Sequence, residues 1–258
     1  MSTDAVLIEK HDSVAVIMFN RPERLNAWGA DIGKALMQRL QEAEADDEVR
    51  GVVLTGNGRA FSAGADLKNP QTHSVDSPEE YLASHRDMPV FDTLSAFPKP
   101  IVSAVNGYAI GIGCLVPLCC DFILAGEQAV FCLPQTSLGI LPAYGGTLRL
   151  ARFVGQGNAL NMALTARKVG AEDALRMGIA THVYPQEQLL PEAIATMRAI
   201  AQMPVHAVRL TRESLRFGYD AGLEATQQAD IYRFMALAQT NDRADRHESW
   251  RHRKELAR

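Results

Sequence analysis

The chain has 258 residues, 47% of them hydrophobic and 22% charged, a globular balance that excludes collagen-like, coiled-coil and disordered classes. Its 26 basic and 30 acidic residues leave a net charge of -4, so nothing in the overall charge favours nucleic acid or an anionic membrane as a partner. Cys114, Cys119, Cys120 and Cys132 lack C-x-x-C spacing and sit among apolar neighbours, and they read as reduced core residues with no disulfide frame or metal site.

The opening Met1-Ser2-Thr3-Asp4 has no basic region leading into an apolar stretch, so a cytoplasmic location is expected. Two β-type runs follow, Val6 to Ile8 and Val14 to Phe19, and then the turn-rich Asn20-Arg21-Pro22. From Asp31 the period changes: Ile32, Leu36, Leu40 and Ala43 share one helical face, and Asp46-Asp47 ends the run. A buried strand is expected over 51–55, with a Gly-rich loop at Gly56 to Gly58. The stretch from Lys68 to Pro89 is polar and holds three prolines, which marks a long connection with one short helix near 79–85.

A further strand is expected over 101–105, then a Gly-rich turn, a helix from about Ile112 and a strand over 121–125. The apolar run from Tyr108 to Cys120 is interrupted by Gly111, Gly113 and Pro117, and it falls short of the ~20 residues a spanning helix needs. Strand, loop and helix alternate, which favours an α/β arrangement. From Gly145 onward the pattern is helical almost throughout: 146–154, 158–166, 187–203, 205–217, 221–239 and 243–256, separated by Gly155, Gly170, Gly178, Pro204 and Gly218.

Two loops carry the chemistry. In the first, Gly58 to Leu67, the small residues at 63, 64 and 65 let backbone approach a ligand and offer N–H donors. The second, Asn106 to Cys114, enters a helix whose first N–H groups are unpaired. Facing one another, they would make an oxyanion hole of main chain. A P-loop or dinucleotide reading has little support, since neither G-x-x-x-x-G-K nor a full G-x-G-x-x-G occurs.

In order and flanks, these motifs resemble the crotonase, or enoyl-CoA hydratase/isomerase, superfamily. The resemblance runs through Asn20-Arg21-Pro22, Leu25-Asn26-Ala27, Ser62 to Leu67, Lys99-Pro100-Ile101, Ala104 to Gly107, Cys120-Asp121, Leu138-Gly139-Ile140 and Gly145-Gly146-Thr147. It continues through Leu164-Thr165-Ala166, Ala171 to Ala174, Gly178-Ile179-Ala180 and the basic tail at Arg253-Lys254. It implies an α/β spiral of ββα units over residues 1–200, and a helical C-terminal region, 201–258, for trimerisation and the acyl-CoA pocket. The implied partners are an acyl-CoA thioester and copies of the chain itself, as a homotrimer or dimer of trimers. No nucleic acid, membrane, metal or cofactor is implied, apart from the coenzyme A that belongs to the substrate.

By the same resemblance, the N–H groups of Ala65 and Ile112 form the oxyanion hole, and Arg24, Ala63, Asp66, Leu67, Lys68 and Lys254 contact the CoA moiety. The family's hydratases use two glutamates to activate water and move a proton. Those positions here hold Leu115 and Gln135, and neither titrates. Gln135 can still hold a water by hydrogen bonds. Tyr144 is a candidate hydrogen-bond donor, Trp28 reads more as a packing residue than as a pocket wall, and His85 and Asp87 stand on the 68–98 segment. Hydration of an enoyl-CoA is the default reaction the resemblance implies. Isomerisation, C–C hydrolysis, decarboxylation and catalytically silent acyl-CoA binding stand as alternatives.

Overall fold

The computed structural model describes residues 5–66, 77, 79 and 89–241. Residues 1–198 form one compact unit and residues 199–258 a second. Within the first, ten strands fall into two sheets among the described residues. The larger sheet has the order β1 (Val6–His11), β2 (Val14–Phe19), β3 (Gly51–Gly56), β5 (Ile101–Val105), β7 (Phe122–Gly126) and β10 (His182–Tyr184). The smaller has the order β4 (Ala60–Ser62), β6 (Tyr108–Ile110), β8 (Val130–Cys132) and β9 (Val169–Gly170).

All pairs are parallel except β1 with β2 and β8 with β9. Every residue of β3 and β5 is buried, as befits parallel strands covered on both faces. Each aliphatic side chain so buried contributes roughly 1.5–3 kcal/mol. Chain order explains the two sheets, because β3, β5 and β7 of the larger are each followed by a short strand of the smaller and then by a helix. The pair β3–β4 precedes α2 (Val90–Ala96), β5–β6 precedes α3 (Ile112–Leu115), and β7–β8 precedes α4 (Gly146–Thr165). This is a spiral of ββα turns.

Helix α1 (Ala30–Ala45) packs on β1 and β2 through Ile32, Leu36, Leu40 and Ala43, the face the periodicity predicts. The Lys99 ammonium satisfies its C-terminal end by donating to the carbonyls of Ala43 (2.8 Å) and Asp46 (2.7 Å). Later in the chain come α5 (Ala171–Met177) and α6 (Leu189–Ala201), whose Met197 lies where any side chain on Gly51 would have to go. No helix among the described residues is long and apolar enough to cross a membrane.

The pattern after Gly145 is less purely helical than expected, since β9 and β10 interrupt it. The two runs expected at 146–154 and 158–166 are the halves of α4, which breaks at Gly155. In the second unit, α7 (Val205–Ala238) breaks at Gly222 and not at Gly218, and none of its residues is buried. The expected helices at 79–85 and 243–256 lie outside the described residues, apart from position 79.

One buried side chain holds the loops above the sheets. Asn26 is fully buried with a left-handed φ of 54°. Its Oδ1 accepts from Arg21 N–H (2.7 Å), and its Nδ2 donates to the carbonyls of Ala60 (2.7 Å) and Asn57 (3.0 Å). Asn106 acts similarly one turn of the spiral later, accepting from Gly56 N–H (3.2 Å) and donating to Gly58 O (2.7 Å). Replacing Asn26 with Ala removes the partner of three backbone groups, the buried Ala60 carbonyl among them, and places a Cβ residue without a polar side chain at positive φ. We expect urea denaturation of Asn26→Ala to show a loss of about 2–4 kcal/mol.

Candidate active site

The two loops singled out in the sequence end up side by side. The first leaves β4, turns through Ala63 and Gly64, and forms an isolated parallel bridge between Trp28 and Ala65. In that bridge, Trp28 N–H donates to Gly64 O (2.7 Å) and Asp66 N–H donates to Trp28 O (3.0 Å). The bridge uses the groups that flank Ala65, so the Ala65 N–H faces the opposite side and donates to no protein acceptor among the described residues. The second loop leaves β6 at Ile110 and enters α3 through Gly111, whose φ of 56° and ψ of -119° suit glycine alone. Ile112 is the first residue of α3, and its N–H is likewise unclaimed. Because α3 has only four residues, its contribution is this donor and not an extended helix dipole.

Close approach of the loops depends on missing side chains. A Cβ on Gly113 would stand 2.2 Å from Ser62 O, and one on Gly64 would stand 2.5 Å from Ile110 O. Ser62, which sequence reading did not single out, ties this region to the Asn26 knot. Its Oγ donates to Asn26 O (2.8 Å) and accepts from Gly64 N–H (3.3 Å). The signal was there in its placement between a strand and three small residues, but its bond partner is 36 positions away.

Around this pair of N–H groups, the side chains are mostly apolar. Leu115 is 1% exposed, and its Cδ2 packs where a Cβ on Gly146 would stand, so this position belongs to the core beneath α4. Gln135 opens a 3-10 turn, Gln135–Leu138, and is 8% exposed. Its Nε2 lies 3.7 Å from the place a Cβ on Gly111 would occupy, beside the entrance to α3. Trp28, Phe91 and Tyr144 form a stack with centroid separations of 6.4 and 4.5 Å, and Trp28 also meets Phe19 edge-on at 5.8 Å. Trp28 is therefore a core packing residue next to Ala65, and Tyr144 lies against Phe91 with a left-handed φ of 57°. The sequence reading missed Phe91 altogether, since a lone aromatic on a short helix carries no signal.

Among the residues assigned to the CoA moiety, Arg24, Ala63 and Asp66 are brought together. Ala63 N–H donates to Leu25 O (2.9 Å), and Arg24 Nη1 reaches Asp66 Oδ2 at 3.4 Å. Arg24 is mostly exposed, so that pair is worth little by itself and leaves the guanidinium available to an anion. Leu67, Lys68, His85, Asp87 and Lys254 lie outside the described residues. The four cysteines are buried and unbridged. Burial pushes the Cys114 thiol up to about 12 and raises Cys132, which leaves neither as a ready nucleophile.

A ββα spiral over two sheets, with two glycine-bearing loops presenting free N–H groups, is the crotonase fold, and known structures agree. The crystal structure of an enoyl-CoA hydratase from Bacillus anthracis superposes with a TM-score of 0.89 at 30% identity, covering 96% of each chain. The model of the enoyl-CoA hydratase/isomerase family matches residues 9–255, and the chain belongs to that family. Its relatives include the mitochondrial enoyl-CoA hydratase of Pongo abelii, 36% identical over 92% of this chain and 80% of that one. They also include the short-chain-enoyl-CoA hydratase of Clostridium acetobutylicum, 33% identical over 95% and 94%.

If the approach of the two loops aligns the donors, a methyl group at Gly64 must spread them. Gly64→Ala places a Cβ at positive φ against Ile110 O. We expect an order of 1–3 kcal/mol lower stability in thermal unfolding, and at least about tenfold weaker butanoyl-CoA binding by calorimetry.

Proposed function

We propose that the chain processes acyl-CoA thioesters through an enolate held by the N–H groups of Ala65 and Ile112, with hydration of an enoyl-CoA as its default reaction. The carrying observation is the pair of unclaimed backbone donors on touching loops. Proton removal at Cα, or addition of water across an α,β-double bond, moves charge to the thioester oxygen, and two fixed donors stabilise it. One such donor is worth about 2.7–4 kcal/mol. Arg24, Ala63 and Asp66 hold the CoA portion, which enters with the substrate, and no separate cofactor is required. The unbridged thiols suit a reducing cytoplasm.

Proton transfer is where this chain differs from the family pattern. Leu115 is buried hydrocarbon, and an amide such as that of Gln135 can hold a water by hydrogen bonds but cannot take its proton. That observation favours a second reading, in which isomerisation, C–C hydrolysis or decarboxylation has replaced hydration, or the site binds acyl-CoA without turnover.

A steady-state assay with crotonyl-CoA separates these readings. We expect hydration by the wild type to be at least 10²-fold slower than a glutamate-bearing relative assayed alongside, the range general acid–base catalysis commands. Gln135→Glu should recover about tenfold or more of it, with a rate that rises with pH through the new carboxyl's pKa, since a base works ionised. Wild-type turnover equal to the relative's would show that Leu115 and Gln135 do not limit the reaction.

Exposed apolar side chains point to assembly. Leu138, Ile140, Leu141 and Leu148 are exposed in the first unit, as are Leu223, Ile231, Phe234 and Met235 in the second. Light scattering should find the 28.2 kDa chain as a trimer or hexamer.

A further inference from the structure

Tyr144 and Gly145 take consecutive left-handed conformations, with φ of 57° and 71°, just ahead of α4. That backbone is unfavourable for a tyrosine and persists only where its surroundings hold it. Arg149, on the first turn of α4, supplies the hold, since its Nε donates to Tyr144 O (3.1 Å). The same guanidinium reaches α2, where Nη1 donates to Ser95 Oγ (2.6 Å), and Ser95 Oγ donates in turn to Phe91 O (2.7 Å). The Phe91 and Tyr144 rings then stack at 4.5 Å. These contacts close a circuit from Arg149 to Tyr144, across the rings to Phe91, and back through Ser95. No carboxylate pairs with the half-buried Arg149 among the described residues, so its contacts there go to this circuit. A planar guanidinium carries donors in a fixed fork that serves two acceptors on different elements, which an ammonium on a flexible stem does not hold in one geometry.

We infer that Arg149 is a positioning residue: by locking Tyr144 against Phe91 it fixes Trp28, and with Trp28 the strand bridge that aims the Ala65 N–H. This rests on the acyl-CoA reading of the site. Phe91 lies over Trp28 at 6.4 Å with ring planes 22° apart. The Trp28 backbone groups pair with Gly64 and Asp66, on either side of Ala65. Arg149 therefore acts on the donor through three rings that come from three separate segments. Without the clamp, α2 and the Tyr144 turn are free to shift against one another, and a misplacement of about 1 Å passed to a site can be costly even from a remote residue. Arg24 and Ala63 take no part in the stack, their described bonds going to Asp66 and Leu25. The clamp thus bears on the acyl end of the ligand and spares the CoA end.

The test is calorimetric titration of the full chain, as wild type and as Arg149→Met, with CoA and with butanoyl-CoA. Butanoyl-CoA should bind the wild type more tightly than CoA, and Arg149→Met should lose at least about fivefold of that advantage while its CoA affinity stays within about twofold. Near-UV circular dichroism of Arg149→Met should show a weakened aromatic band with an unchanged far-UV spectrum, the mark of rings displaced in a folded chain. An undiminished acyl advantage in Arg149→Met overturns the inference. So does an equal loss of CoA and butanoyl-CoA affinity, which assigns Arg149 to the fold alone. Should Arg149→Met fail to fold, Ser95→Ala cuts the same circuit at α2, and an unchanged acyl advantage there overturns the inference. A wild type that binds neither ligand, or both equally, overturns the acyl-CoA reading itself, and this inference with it.

Discussion

The site depends on a saturated asparagine. Asn26 sits in a left-handed turn where its side chain meets Arg21, Asn57 and Ala60, and its carbonyl meets Ser62. Two segments of chain, 21–26 and 57–62, are thus tied together through one buried residue. An amide donates and accepts at once, so it can bridge backbone groups of both kinds without introducing charge. Above this knot, Gly64 and Gly113 let the first loop lie directly against the second. The free N–H groups of Ala65 and Ile112 follow from that, one by exclusion from a strand bridge and one by starting a helix.

The two described side chains assigned to proton transfer by resemblance, Leu115 and Gln135, carry no charge. Net charge is -4, yet the groups facing the proposed thioester are backbone N–H, an amide and hydrocarbon. Preorganised dipoles of this kind act on whichever reaction puts charge on the thioester oxygen, which is why one scaffold serves several reactions. Near those donors this chain holds a buried leucine, Leu115, and Gln135, whose Oε1 has no partner among the described residues.

Long, strongly patterned elements were legible in the sequence. The strands Val14–Phe19 and Ile101–Val105 and the buried face of α1 stand where apolar period places them, because each buries enough surface to write a pattern. The strands of the second sheet were not legible. Ala60–Ser62, Tyr108–Ile110 and Val130–Cys132 have three residues each, too few for alternation, and they lie inside stretches that read as loops. They exist because each strand of the larger sheet delivers the chain to a neighbour that can pair with it. The same holds for the stack of Trp28, Phe91 and Tyr144, whose members come from three distant segments.

Sequence alone determined the family, the α/β class, the main strands, and the identities at 65, 112, 115 and 135. These are local or ordered features, carried by composition, period and motif. Tertiary structure decided which N–H groups stay unpaired, that Leu115 turns into the core, and that the Gln135 amide oxygen is enclosed without a partner among the described residues. Those properties depend on what lies opposite each group, and in every case the neighbour is remote in the chain or set by a turn that only packing selects.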